Sequence, residues 1–355
     1  MADACTKWSG SVVAEMLTGS WRRSPTPCEC SSADLEAIAP LVLESGAAAL
    51  CWWRIRDCDL QTTEAAERLR RAYHLNSLQA GIQQERIEQI VALLRAAGIE
   101  PILVKGWAAV RLYPDEGVRP CGDIDLCVRP EQFAAADVAL KDLKDERYEV
   151  DLHRGFAKFG GGSFDQVYDR AQLIRVGETG VRVPCAEDHL RVISIHMLRE
   201  GAWRPLWLCD VAAAVESRPA NFDWDCCLGK KRHWSDWVVC ALRLAQQLLC
   251  ADISDTPAAE RLKPLPRWLV PTIMKEWGSS QPSMVQRHHA PMASYWRRPL
   301  GVLTGLRHRW PNPIEATISA GGQFNQLPRL PLQIGSYVAR SAKFAARLPR
   351  LLREQ

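Results

Sequence analysis

The stretch Arg119-Pro-Cys-Gly-Asp-Ile-Asp-Leu-Cys-Val128 decides how this chain is read. Two aspartates stand two residues apart, and Ile124, Leu126 and Val128 fill the alternate positions. In a strand successive side chains point to opposite faces, so Asp123 and Asp125 share one face while the three apolar residues enter a core on the other. Two carboxylates fixed side by side repel, and a divalent cation between them relieves the conflict. The spacing alone decides nothing, because Asp57/Asp59 and Asp223/Asp225 repeat it. Those pairs sit where helices begin, and aspartates there serve as caps.

The neighbourhood of 119–128 supports a small α/β unit. "GIQQERIEQIVALLRAAG" is apolar at helical intervals through Ile82, Ile87, Ile90, Val91, Leu93 and Leu94, with Gly98 as a stop. "EPILVKG" reads as a strand closed by glycine, and "WAAVRLYP" as a helix ended before Pro114. After the 119–128 strand, "PEQFAAADVALKDL" is an amphipathic helix and "RYEVDLHRGF" a third strand carrying Asp151 and His153. If that strand lies beside the first, Asp123, Asp125 and Asp151 converge. Three acids can hold two magnesium ions roughly 3.5–4 Å apart, with Asp151 also orienting or withdrawing a hydroxyl proton.

Upstream, Lys105 and Gly106 form a strand-to-helix turn. It is either a plain connection or a phosphate contact through backbone amides and the Lys105 charge. Arg119 precedes Asp123 in a turn-rich loop, and its fork suits phosphate. His153 shares the Asp151 face and either orients that carboxylate or bonds a nearby loop. His196 and Asp210, on two helices read from "CAEDHLRVISIHMLREG" and "RPLWLCDVAAAVES", either belong to the core or hold acceptor or base.

Composition sets the frame. The chain has 355 residues, 47% hydrophobic and 24% charged, which is ordinary for a globular protein. The first residues lack a basic region followed by an apolar run, and no apolar run reaches about 18 residues, so the sequence predicts a cytoplasmic protein without a transmembrane segment. Thirteen cysteines show no paired zinc-ligand spacing and read as small hydrophobes in a reducing compartment. The net charge of +4 conceals a basic tail: residues 296–355 hold ten Lys and Arg against two Glu. Arg340, Lys343, Arg347 and Arg350 recur at helical spacing beside an apolar face, which suits either a packed terminal helix or recruitment of RNA or lipid headgroups.

The combination of "VKGW", an arginine before "DID", "VDLH" and the following helices with histidine and aspartate resembles the bacterial nucleotidyltransferase family of the DNA polymerase beta-like superfamily, over residues of about 70–217. The resemblance implies an α+β fold. A small mixed-sheet core at 100–160 would be flanked by N-terminal helices at 1–99, a helical region completing the cleft at 161–290, and a basic irregular and helical tail at 291–355. It implies transfer of a nucleoside monophosphate from an NTP to a small molecule, peptide, protein or RNA, with release of pyrophosphate. Magnesium, with manganese as the alternative, would be held by Asp123, Asp125 and Asp151. The chain departs from the superfamily where Trp107 replaces the serine that usually follows the turn glycine. Two other classes stay open: an inactive nucleotide-binding relative, and an RNA-binding or membrane-surface protein acting through the tail.

Overall fold

The computed structural model describes residues 2–141, 149–160, 162–260, 264–280 and 310–351. Helices α1 (Ala2–Leu17), α2 (Ser32–Glu44), α3 (Ala48–Ile55) and α4 (Glu64–Ala96) come first. Ser31 caps α2 through a reciprocal box with Asp34, and Thr63 caps α4 by accepting from the Ala66 amide. Strand β1 (Ile102–Val104), α5 (Gly106–Val110), β2 (Ile124–Val128), α6 (Phe133–Ala139), β3 (Val150–Arg154), α7 (Phe164–Arg170), β4 (Gln172–Val176) and β5 (Thr179–Val183) follow. The rest is helical: α8 (Ala186–Arg199), α9 (Pro205–Glu216), α10 (Trp224–Leu228), α11 (Arg232–Leu249), α12 (Pro257–Glu260), α13 (Leu269–Trp277), α14 (Pro313–Ser319) and α15 (Leu330–Leu351). The fold is α+β, with helices around one five-stranded mixed sheet.

The strand order is β3-β2-β1-β5-β4. β2 runs parallel to β3 and antiparallel to β1, β1 runs parallel to β5, and β4 and β5 form an antiparallel hairpin. All five residues of β2 are buried, because both faces of this central strand are covered. On one face Ile124, Leu126 and Val128 join Leu103 and the α4 residues Ile87, Ile90, Val91 and Leu94. On the other, Cys127 joins Ile102, Val104, Phe156, Phe159, Phe164 and Val192. The alternation therefore sends one set of side chains to α4 and leaves Asp125 on the opposite face.

The β4–β5 hairpin lies past residue 160, in the segment that the sequence pattern assigns to helices. Its strands are short and mix Arg, Gln and Thr with apolar residues, which blurs the period-two signal. Gly177, with φ of 56°, supplies the left-handed turn, and the Glu88 carboxylate of α4 accepts from the Glu178 amide at 2.7 Å. Within the tail expected at 291–355 to be basic, irregular and helical, α14 is capped by Asn312 with Pro313 at its first position. The start of that tail, up to residue 309, lies outside the described residues.

The helices before and after the sheet share one core, in which Leu35, Ile38, Leu50 and Leu69 pack with Ile195, Leu206, Val211, Leu242 and Ile273. The described cysteines are all free, and half of them are buried. Among the described residues no helix is long and apolar enough to cross a membrane. In the basic tail, Arg340 pairs with Glu315 and Tyr337 lies 5.6 Å from Trp310, ring to ring. The side chains of Lys343, Arg347 and Arg350 lie outside the described set.

Candidate active site

Register builds the site. β2 and β3 pair so that Asp125 stands opposite Asp151 and Cys127 opposite His153, all four on one sheet face. Asp123 ends the loop immediately before β2. The nine residues singled out in the sequence (Lys105, Gly106, Arg119, Asp123, Asp125, Asp151, His153, His196 and Asp210) all line one cleft of about 680 Å³. The other two aspartate pairs stay apart from it: Asp223 caps α10 by accepting from the Cys226 amide, and Asp59 opens a short 3-10 turn.

Asp125 is the buried hub. It receives the Lys105 ammonium at 2.5 Å and His153 Nε2 at 3.0 Å. The same Nε2 lies 3.2 Å from Asp151, whose carboxylate is half exposed at the cleft surface. A hydrogen on Nε2 accordingly bridges two carboxylates, while buried Nδ1 has no partner. The His153 ring is fixed edge-on to Phe159 at 5.4 Å.

Charge explains the proton affinities. Burial pushes the Asp123 carboxyl above its ordinary value, and the neighbouring Asp125 charge adds to the push. Burial acts on Asp125 in the same direction, but His153 and Lys105 outweigh it and hold that carboxyl below its ordinary value. Asp125 thus contributes stability above the unfolded carboxylate pKa, lost as pH falls through its lowered folded value. Asp123 behaves oppositely, since ionising it costs the folded state more than the unfolded one.

The turn after β1 brings its own strain. Lys105 has φ of 52° and is one of three non-glycine residues with positive φ among those described. A side chain on Gly106 would meet the Asp123 carbonyl at 3.2 Å, so glycine lets this turn close on the acidic strand. Trp107 is buried in the core between the sheet and α4. Position 107 therefore serves packing here.

Arg119 does not present a free fork. Its Nε and Nη2 donate to Asp210 at 3.1 and 2.8 Å, and the Tyr113 hydroxyl donates to the same carboxylate at 2.7 Å. Burial opposes the Arg119 charge, yet Asp210 more than offsets it and raises the guanidinium pKa. This pair ties the loop carrying Asp123 to α9. From the other side, α4 holds that loop through Asn76, whose amide donates to the Gly117 carbonyl at 3.1 Å, and through Gln83, which donates to the Gly122 carbonyl. His196 is half buried, 4.8 Å from the Trp207 ring, and burial, aided by Lys105, lowers its pKa to about 3, so it is neutral.

Sequence reading missed Gln79, Lys158, Phe159, Arg199, Arg204 and Trp207, which also line the cleft. Lys158 adjoins the glycine triplet 160–162, which reads as a connection; Arg204 precedes a helix-starting proline. Neither carries a motif, and only folding brings them to the acids.

A divalent cation suits this donor set. Ligand atoms of Asp125, Asp151 and His153 lie within 4.8 Å of one another. Three carboxylates stand against one lysine, and the Asp125 charge adds to the burial that raises the Asp123 pKa. Neither curated proteins nor solved structures gave a match to the chain. The family model described as an uncharacterised nucleotidyltransferase matches residues 31–250, which spans the sheet, the cleft and the helices on both sides. The chain belongs to that nucleotidyltransferase family, and so to the transferases of phosphorus-containing groups.

Proposed function

We propose that this protein moves a nucleoside monophosphate from an NTP to a hydroxyl of its acceptor, in a magnesium-dependent reaction. The observation that carries this reading is the in-register pairing of Asp125 with Asp151 beside Asp123, facing a cleft that also holds Lys105. Asp123, Asp125 and Asp151 would hold the metal, which when bound supplies charge neutralisation to the triphosphate. His153 keeps the two strand carboxylates in a fixed orientation. Lys105, with the Gly106 amide, would turn from Asp125 toward phosphate oxygens, a role the buried Trp107 cannot take.

Asp151, the exposed member, accepts the proton of the acceptor hydroxyl. The new bond joins that oxygen to the α-phosphorus while the α–β phosphoanhydride breaks and pyrophosphate leaves. Arg119 acts at one remove, by fixing the loop on Asp210.

The direct test supplies NTPs labelled at the α-phosphate, with cell extract as the acceptor source. Label transfer that requires magnesium and stops with a chelator is expected. Nucleotide binding with no transfer under any metal would identify an inactive relative instead.

Asp151→Asn refines the test. Transfer should fall by about 10²–10⁴-fold, the usual worth of a positioned base. NTP binding, read by calorimetry, should persist because Asp123 and Asp125 remain. Loss of NTP binding together with transfer would make Asp151 an indispensable ligand and remove the case for a base.

A further inference from the structure

The cleft's cations are not equivalent. Lys105 is matched by Asp125 and Arg119 by Asp210. Arg204, at the start of α9, has no carboxylate partner among the described residues. Its Nε donates to the Ser45 carbonyl at 2.8 Å, and its guanidinium stands 5.7 Å from the Trp207 ring and 5.9 Å from that of Trp203. Burial, joined by Arg119, lowers its pKa despite the opposing pull of Asp210 and Asp123, as for a charge partly stripped of water. The backbone is shaped around it: a side chain on Gly46, where φ is 75°, would come within 2.5 Å of Arg204 Nη2. A partly desolvated guanidinium without a partner is costly, and an anion arriving from solution removes that cost.

Position separates this cation from the phosphate end. Arg204 opens α9, the helix whose Asp210 holds Arg119, whereas Lys105 is held by Asp125 on β2. Arg204 therefore belongs to the helix of the Arg119–Asp210 pair, and Lys105 to the turn held by the β2 acid. Beside it, the partly exposed Trp207 offers an indole surface to the same space.

We infer that Arg204 and Trp207 form an anion subsite for the acceptor, which carries a carboxylate or phosphate next to a flat apolar or aromatic group. This rests on the nucleotidyl-transfer reading, since it takes the triphosphate to lie at Lys105. The competing role for Arg204, holding the turn after α2 through Ser45, needs only a hydrogen-bond donor and no charge.

Calorimetry on the full chain with phenyl phosphate, phenylacetate and neutral benzyl alcohol tests the inference. At least one anion should bind more tightly than the alcohol, and which one does separates the phosphate source from the carboxylate source. Arg204→Gln keeps a donor for Ser45 but removes the charge, and should weaken that anion by about 10–100-fold, the worth of a charge-assisted hydrogen bond. A non-hydrolysable magnesium–ATP analogue should bind the variant as it binds wild type. Trp207→Ala should weaken phenyl phosphate and leave inorganic phosphate unchanged. Equal anion binding in Arg204→Gln and wild type overturns the subsite, and so does an equal loss of the ATP analogue, which would assign Arg204 to the triphosphate. If Arg204→Gln does not fold, Arg204→Lys and Trp207→Ala decide: binding kept in the first and reduced in the second supports the subsite, and any other pattern overturns it. Failure of the ATP analogue to bind wild type would instead count against nucleotidyl transfer, with the anion results still readable.

Discussion

Asp125→Asn is expected to abolish transfer and to destabilise the protein, whereas Asp123→Asn abolishes transfer at almost no cost in stability. Both remove a carboxylate from the proposed metal site, and losses of at least about 10²–10³-fold are usual when a group that stabilises transition-state charge is removed. Their surroundings differ. Asp125 is 3% exposed and holds the Lys105 ammonium, which is itself buried. Neutralising it strands that charge, and breaking a buried pair typically costs about 3–5 kcal/mol. Asp123 has no ion-pair partner among the described residues, and burial with the Asp125 charge already disfavours its ionisation, so the amide should change stability by no more than about 0.5 kcal/mol. Denaturant unfolding of the two variants beside label transfer checks both halves. Equal destabilisation would refute the hub role of Asp125, and undiminished transfer in both variants would end the catalytic reading.

Asp210→Asn and Arg119→Met should each lower stability by about 3–5 kcal/mol, because each leaves a buried charge without its counterpart. The double change Arg119→Met with Asp210→Leu should cost less than the sum of the single changes, since no charge is then stranded. Urea unfolding of the four proteins closes the cycle, and strict additivity would show that the pair is not coupled. Activity follows by a second route: the Arg119 fork fixes the loop that ends at Asp123, so a folded Arg119 variant should lose transfer without any contact to substrate being assigned to it. Restoration of transfer in the double variant to wild-type level would argue that the loop is held by Gln83 and Asn76 alone.

Local pattern alone was enough for the elements that meet the acids. The apolar periodicity of α4, the strand runs ending at Val104 and Val128, and the alternation placing Asp125 opposite the α4 face are properties of short segments, and they survive folding because each agrees with the packing around it. The α+β class follows from them. Other features had no local signature. β4 and β5 are half-exposed and polar, so they become strands only against β1 and Glu88. The partner of Arg119 lies 91 residues further along, and a guanidinium suited to phosphate is equally suited to a carboxylate, so only the tertiary structure chose Asp210. The same holds for Arg204, an ordinary arginine before a proline until the fold brings it into the cleft beside Trp207. Which side chain receives which charge depends on pairings across the fold, and no spacing along the chain encodes it.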